Sequence, residues 1–105
     1  MVFIETQSYL KTINALVTDE QHREIQNQLL EQPGLGTPIP GASGMRKMRV
    51  ALGDHGKRGG FRIWYVYFPQ RDTILLVFAL PKNKGSDLTK DMTRLLAEAV
   101  RKEFR

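Results

Sequence analysis

The chain has 105 residues, which is long enough for one compact domain with a modest core and too short for two. Its hydrophobic fraction of 41% and charged fraction of 26% are ordinary for a globular protein and exclude a wholly disordered chain. The absence of cysteine excludes a disulfide framework and thiolate chemistry. We therefore expect a single domain over residues 1–105 and one functional site.

The first third of the chain predicts one strand and two helices. Val2–Ile4 is short and apolar, as in a strand, and apolar residues at helical spacing follow from about Ser8. Thr18-x-x-Gln21 is typical of a capping box that begins a second helix. That helix should end at Gln32-Pro33-Gly34, because proline disfavours helical geometry in the residue before it.

The rest of the chain predicts a three-stranded meander and a last helix. After a loop rich in proline and glycine over residues 33–44, apolar and polar residues alternate over 45–52. A glycine-rich connection leads to aromatic and β-branched residues over 61–68, and residues 73–80 are nearly continuously apolar. An amphipathic stripe over 88–105 indicates the closing helix. The order β-α-α-β-β-β-α predicts an α+β domain: a mainly antiparallel sheet of about four strands with the helices packed on one face.

Positive charge is concentrated in one short segment. Residues 1–44 carry more acidic than basic side chains, whereas residues 45–62 carry six basic side chains against Asp54 alone: Arg46, Lys47, Arg49, Lys57, Arg58 and Arg62. Clustered cations favour phosphate-rich partners through attraction and counterion release. The alternative interpretation is a solvated basic face whose cations extend into water or pair with acidic side chains of the helices.

Strand geometry predicts which of these cations share a surface. Alternation places Lys47 and Arg49 on one face of their strand, and Arg62 on the next strand can approach the same surface if the two strands form a hairpin. Lys82 and Lys84 leave the end of the third strand nearby. Like charges on adjacent strands destabilise a sheet, so such a cluster is expected to bind an anionic partner.

Several other kinds of site are excluded by the residue types present. With His22 and His55 as the only histidines and no cysteine, the sequence has no set of ligands for tetrahedral zinc, and we predict no metal and no cofactor. The glycines of residues 53–60 fit neither a phosphate loop nor a dinucleotide fingerprint. His22 is interpreted as a solvent-facing structural residue. His55, in the basic connection, is either a plain loop residue or a contact to RNA.

The aromatic residues of the second meander strand have two interpretations. Most rings in such a strand belong to the core, but an exposed ring beside cations could stack on a base. The rings in question are Trp64, Tyr65, Tyr67 and Phe68.

Three segments together resemble the RelE toxin superfamily, especially its HigB branch. They are the basic strand GMRKMRV at residues 44–50, the stretch GKRGGFRIWY at 56–65 and the segment LPKNKGSDL at 80–88, which precedes a helix. The resemblance covers nearly the whole chain. It implies a compact microbial RNase-like fold and the toxin of a type II toxin-antitoxin system, which cleaves mRNA on the ribosome without a metal ion.

The resemblance also implies roles for individual residues. Lys47 and Arg49 match the family's paired basic residues, Arg62 matches its phosphate-binding arginine, and Lys82 and Lys84 match its basic segment after the last strand. Further RNA contacts are predicted for Arg46, His55, Lys57, Arg58 and Tyr65. Asn83 stands where RelE proper has an arginine, and Thr89 stands near the position of its tyrosine.

RNA cleavage by its own 2′-hydroxyl requires a proton acceptor, stabilisation of charge on phosphorus and protonation of the leaving oxygen. Because crowded cations favour the neutral form of a lysine, Lys47 is the predicted base, with Arg62 on the phosphate and Lys82 or Lys84 as the acid or as a phosphate clamp.

The expected partners are a cognate antitoxin with an acidic segment, the A site of the 30S ribosomal subunit, and mRNA. Operator DNA would be contacted only through the antitoxin complex. The amino-terminal residues lack a basic leader followed by a long apolar run, so we expect a cytoplasmic protein with no membrane span. Two alternatives remain open: a ParE-like toxin that attacks DNA gyrase, and a catalytically silent module that binds an antitoxin or RNA.

Overall fold

A computed structural model describes residues 1–51, 60–85 and 87–104. Five strands and three helices are formed there: β1 (Val2–Glu5), α1 (Gln7–Leu16), α2 (Asp19–Glu31), β2 (Thr37–Pro38), β3 (Met45–Val50), β4 (Phe61–Phe68), β5 (Thr73–Pro81) and α3 (Lys90–Phe104). The predicted α+β class is confirmed, with one strand more than expected. The additional strand, β2, has two residues, which is too short to produce a periodic sequence pattern.

Each of the two amino-terminal helices begins directly after a threonine that caps it. Thr6 caps α1 by accepting a hydrogen bond from the backbone N–H of Tyr9. Thr18 and Gln21 form the predicted capping box of α2, since each side chain accepts from the other residue's backbone N–H. The last residue of α2 is Glu31, two positions before Pro33, as expected for a helix that ends ahead of a proline.

The strands form one sheet in the order β1-β5-β4-β3-β2. Strands β3, β4 and β5 are antiparallel neighbours, which confirms the predicted meander, and β2 adds antiparallel to β3. Strand β1 pairs with β5 in parallel. Parallel neighbours require a long connection, and here α1, α2 and strands β2 to β4 lie between β1 and β5 in the chain. The first strand of the chain is therefore one edge of the sheet.

The helices cover both faces of the sheet, so the prediction that they pack on one face is wrong. Tyr9 and Ile13 of α1, with Ile25 and Leu29 of α2, belong to one apolar cluster. Residues of α3 belong to a second cluster, on the other face. The physical reason is that β4 and β5 are apolar on both sides, and a sheet of this kind needs cover on each face.

The cover that α3 gives is incomplete at one end of the sheet. On the α1/α2 face, Val50 and Phe61 are buried. On the α3 face of the same two strands, Arg49 is exposed and Arg62 is half-buried. This open end of the α3 face thus carries Arg49 and Arg62, two of the predicted site residues. Within the described parts of the chain, no helix is long and apolar enough to cross a membrane.

Candidate functional site

Strands β3 and β4 bring three predicted site residues onto one surface. Arg49 and Arg62 are directly opposite each other in the antiparallel register, and Lys47 lies two residues before Arg49 on the same side of β3. Met48 and Val50, which alternate with them, are buried in the cluster under α1 and α2. The sequence pattern thus predicted the two faces of β3 correctly.

Lys82 completes this surface. It lies in a short 3-10 turn that follows β5, and it lines a cavity of about 70 Å³ together with Arg49 and Arg62. We call Lys47, Arg49, Arg62 and Lys82 the basic cluster. Lys84 is exposed in the same turn but is not among the described residues that line this cavity.

The cations of the cluster are held by few internal partners. Within residues 1–51, 60–85 and 87–104, neither Arg49 nor Lys82 makes a side-chain hydrogen bond or an ion pair. Two arginines in facing positions repel each other, and an anion placed between them removes that repulsion. The open end of the sheet is therefore suited to bind a phosphate group.

Asp87 is a member of the site that the sequence interpretation did not select. Its Oδ2 accepts a hydrogen bond from Lys47 Nζ at 2.5 Å, in an ion pair between β3 and the segment before α3. That hydrogen bond, more than the Leu88 backbone N–H or the charge of Arg62, lowers the pKa of Asp87 below its ordinary value. A signal was present in the sequence, since Asp87 is the only acidic residue between Asp72 and Asp91 and follows a basic segment.

The ion pair bears on the predicted role of Lys47 as the base. The Nζ atom of Lys47 is engaged as a donor to Asp87, and an ammonium group has no lone pair with which to accept a proton. Asp87, by contrast, is ionised and about half exposed beside the cluster. The geometry therefore favours Asp87 over Lys47 as the group that takes up a proton.

Arg46 is a neighbour of the cluster in sequence but lies on the opposite face. Its guanidinium group donates to the backbone carbonyls of Gly36 at 2.8 Å and Gly34 at 3.3 Å. The side chain of Arg46 is thus held by the loop before β2 and does not form part of an open anion site. The predicted RNA contact for Arg46 is therefore not supported by its position.

Tyr65 is part of the core, and the prediction that it contacts RNA is wrong. Its side chain is 0% exposed. The hydroxyl donates to the carbonyl of Pro33 at 2.8 Å and accepts from the N–H of Gly36 at 2.7 Å, so the ring fixes the loop that Arg46 also holds. Burial raises the pKa of Tyr65. An aromatic β4 residue is here a structural support for the backbone next to the site.

His22 belongs to a polar network on the α1/α2 side of the sheet, opposite the basic cluster. Its Nε2 lies 3.1 Å from the hydroxyl of Tyr9 and 3.2 Å from Oε2 of Glu5, and the three residues connect α2, α1 and β1. Burial, followed by the charge of Glu5, raises the pKa of Tyr9. The predicted structural role fits this position, but the side chain is mostly covered rather than solvent-facing.

Three predicted RNA contacts, His55, Lys57 and Arg58, lie outside the described residues. The residues that flank them, Val50 and Phe61, pair at the open end of the sheet. Among the described residues, no group of three or more metal-ligating side chains is close enough to hold a metal ion.

Comparison with solved structures identifies the fold. A mutant of E. coli toxin RelE in the free state matches with a TM-score of 0.60 and 15% identity, over 98% of this chain and 97% of that one. The chain has the RelE fold. The isolated E. coli RelE toxin matches with a TM-score of 0.58 and 15% identity over 96% of each chain.

A chain from a solved complex also matches. The intact E. coli RelBE toxin-antitoxin complex gives a TM-score of 0.56 and 14% identity, over 83% of this chain and 98% of that one. No protein-family model matches the sequence. The RelE-like fold that the three sequence segments predicted is thus confirmed by structure at low sequence identity.

Proposed function

We propose that the protein is the toxin of a toxin-antitoxin system and acts as a metal-independent endoribonuclease on mRNA at the ribosome. The observation that carries the proposal is the basic cluster at the open end of a RelE-fold sheet, with Arg49 facing Arg62. Arg49 and Lys82 are exposed and have no partner among the described residues, as is expected of a site that binds a phosphodiester.

The proposed reaction is attack of an RNA 2′-hydroxyl on the adjacent phosphorus. The bond from the 2′-oxygen to phosphorus forms, the bond from phosphorus to the 5′-oxygen breaks, and a 2′,3′-cyclic phosphate results. Arg49 and Arg62 stabilise the additional negative charge on the phosphate oxygens. Lys82 donates a proton to the leaving 5′-oxygen, and Lys84 is the second cation of the same turn.

The proton of the 2′-hydroxyl passes to Asp87 in this proposal. Asp87 is a weak base, because its pKa is lowered, but Lys47 and Arg62 keep it ionised where the hydroxyl would approach. Lys47 then holds the carboxylate in place and is not itself the acceptor. Asp87→Asn distinguishes the two assignments, since it removes the acceptor while leaving a side chain that still accepts a hydrogen bond from Lys47.

The proposed partners follow from charge and from one of the matched structures. That structure is a complex of RelE with its antitoxin, and we extend the inference of an antitoxin partner to this chain. An antitoxin that neutralises the basic cluster should present an acidic segment. The ribosomal A site and mRNA are the proposed targets, in the cytoplasm and without a cofactor.

Induced expression in a bacterial host tests the proposal. Wild type should arrest growth and produce new mRNA ends inside translated regions, and both effects should disappear in Arg62→Ala and Asp87→Asn. Lys11→Ala is a matched control, because Lys11 is an exposed cation of α1 on the other side of the sheet. Arrest with intact mRNA and damaged DNA would instead indicate a gyrase-directed toxin, and no arrest would indicate a silent binding module.

A further inference from the structure

A second basic surface adjoins the basic cluster. A groove of about 580 Å³ runs between α3 and the loop of residues 39–42. Its floor is apolar and includes Ile39, Ala42, Leu88 and Ala97. Four cations line the groove: Lys47, Lys90, Arg94 and Arg101. Lys47 is shared with the basic cluster, so the groove and the cluster are continuous.

The cations of α3 form a row along one side of the helix. Lys90, Arg94 and Arg101 are separated by four and then seven residues, which keeps them on one side of the helix. At a rise of about 1.5 Å per residue, the row is about 16 Å long. Such a row is suited to an extended, repeatedly charged ligand more than to a single small anion.

The acidic neighbours of this row do not neutralise it. Arg94 lies 3.4 Å from Asp91 and Arg101 lies 3.7 Å from Glu98, in exposed pairs within the helix. Exposed pairs of this kind contribute little free energy, so a phosphate can compete for the guanidinium groups. Among the described residues, the carboxylates that line the groove itself are Asp87 and Glu98.

We infer that this groove binds the single-stranded RNA that flanks the scissile phosphate. The phosphates of that flank contact Lys90, Arg94 and Arg101, and a base lies against the apolar floor beside Leu88. The inference rests on the proposed function, because it extends the path of the strand cut at the basic cluster. RNA is favoured over an acidic protein segment because the groove adjoins the basic cluster at Lys47. An RNA strand that is cut at the cluster continues beyond the scissile phosphate, and the groove provides a path for that flank.

Binding of an uncleavable RNA tests the groove separately from catalysis. We would measure the fluorescence anisotropy of a labelled, fully 2′-O-methylated RNA 12-mer against wild type and the double variant Arg94→Glu/Arg101→Glu. The Kd should rise at least tenfold, and the slope of log Kd against log salt should decrease by about 1.4 if two phosphate contacts are lost. The matched control is Lys11→Glu/Arg23→Glu, which changes the net charge equally on exposed positions of α1 and α2.

The outcomes separate the groove from the proposed function. A double variant that binds the RNA with the Kd and salt slope of wild type overturns the groove, as does failure of wild type to bind RNA at all. If that variant binds RNA normally but escapes neutralisation by the antitoxin, the groove belongs to an acidic protein. Weakened RNA binding in the double variant, together with no mRNA cleavage by wild type in cells, would support RNA binding by the groove and contradict the proposed nuclease activity.

Discussion

The two faces of strand β3 use the same kinds of residue for different purposes. On the α1/α2 face, Arg46 donates to two loop carbonyls and is fixed by the backbone. On the α3 face, Arg49 is exposed opposite Arg62, and no described residue pairs with its side chain. Three positions apart in sequence, one arginine shapes the fold and the other is available to a ligand. The neighbouring element, rather than the residue type, decides which role a cation takes.

The difference extends to the other polar groups. Under α1 and α2, the Tyr65 hydroxyl has two backbone partners and the Tyr9 hydroxyl lies beside His22. At the open end of the α3 face, by contrast, Asp87 forms an ion pair with Lys47, and the charge of Arg62 also acts on its carboxylate. A protein that is stabilised on one face can tolerate repulsion on the other. We therefore expect substitutions on the two faces to affect different measurable quantities.

The largest expected effect separates Arg62→Ala from Arg46→Ala. Loss of Arg62 should lower the cleavage rate by about 100-fold or more, because a charge that stabilises the transition state is removed. The free energy of unfolding should change by less than about 0.5 kcal/mol, since no described residue forms a hydrogen bond with this side chain. Single-turnover cleavage on mRNA-programmed ribosomes and urea unfolding give the two numbers.

Arg46→Ala should give the reverse pattern. It removes the hydrogen bonds to Gly34 and Gly36 and should destabilise the fold by about 1 kcal/mol, with a smaller loss of activity in the folded protein. Equal losses of activity in the two variants would remove the distinction between the faces of β3.

The next largest effect concerns the close approach of Gly36 to Tyr65 and to the backbone of Lys47. A Cβ atom added to Gly36 would lie 2.8 Å from Cε1 of Tyr65 and 2.9 Å from the carbonyl oxygen of Lys47. The ring is buried and the carbonyl is in the sheet, so neither moves easily. Gly36→Ala should therefore destabilise the protein by about 1–3 kcal/mol, measured as a lower urea midpoint.

Gly60→Ala is the matched control for that substitution. The corresponding Cβ would be 3.7 Å from the carbonyl oxygen of Val50, an ordinary contact. Its urea midpoint should stay close to that of wild type. A Gly36→Ala protein as stable as the Gly60→Ala protein would show that the loop before β2 can move away from Tyr65.

A smaller loss of stability is expected for Tyr65→Phe. The ring stays in the core, but the N–H of Gly36 and the carbonyl of Pro33 lose their partner. A buried donor left without an acceptor costs about 1–3 kcal/mol, and because water can enter the loop and bind both groups, we expect a loss near the lower value, about 1 kcal/mol. Thermal unfolding measures the effect, and RNA affinity should be unchanged. Weaker RNA binding by the folded variant would contradict the structural role of Tyr65.

Local signals allowed much of the fold to be predicted. The Thr18 capping box and the alternation along β3 depend on neighbouring residues, and both are confirmed. The short strand β2 could not be predicted, because it is a strand only through its pairing with β3. The side of the sheet on which α3 packs was also missed, since an amphipathic stripe shows that a helix has an apolar side and not which surface it covers.

The site was predictable to the extent that strand geometry defines it. Alternation and a hairpin place Lys47, Arg49 and Arg62 together, and the structure agrees. Asp87 was missed because its partner Lys47 lies 40 residues away, a separation over which no local pattern operates. Burial of Tyr65 likewise depends on a loop about 30 residues earlier in the chain, which no spacing rule connects to it.

The smallest expected effect is the acid dependence of the Lys47–Asp87 pair. The pKa of Asp87 is lower in the folded protein than in the unfolded chain, so its ionisation adds stability above the unfolded value of about 4, and that stability is lost as the pH falls through the folded value. Because the carboxylate is 48% exposed, water screens the pair, and Asp87→Asn should cost less than about 1 kcal/mol at pH 7. Urea unfolding from pH 7 to pH 3 should show wild type and variant converging in acid, whereas a difference that stays constant would contradict the assignment. A pair this weak contributes little to the fold, so a large loss of cleavage in the same variant would mean that Asp87 serves the reaction.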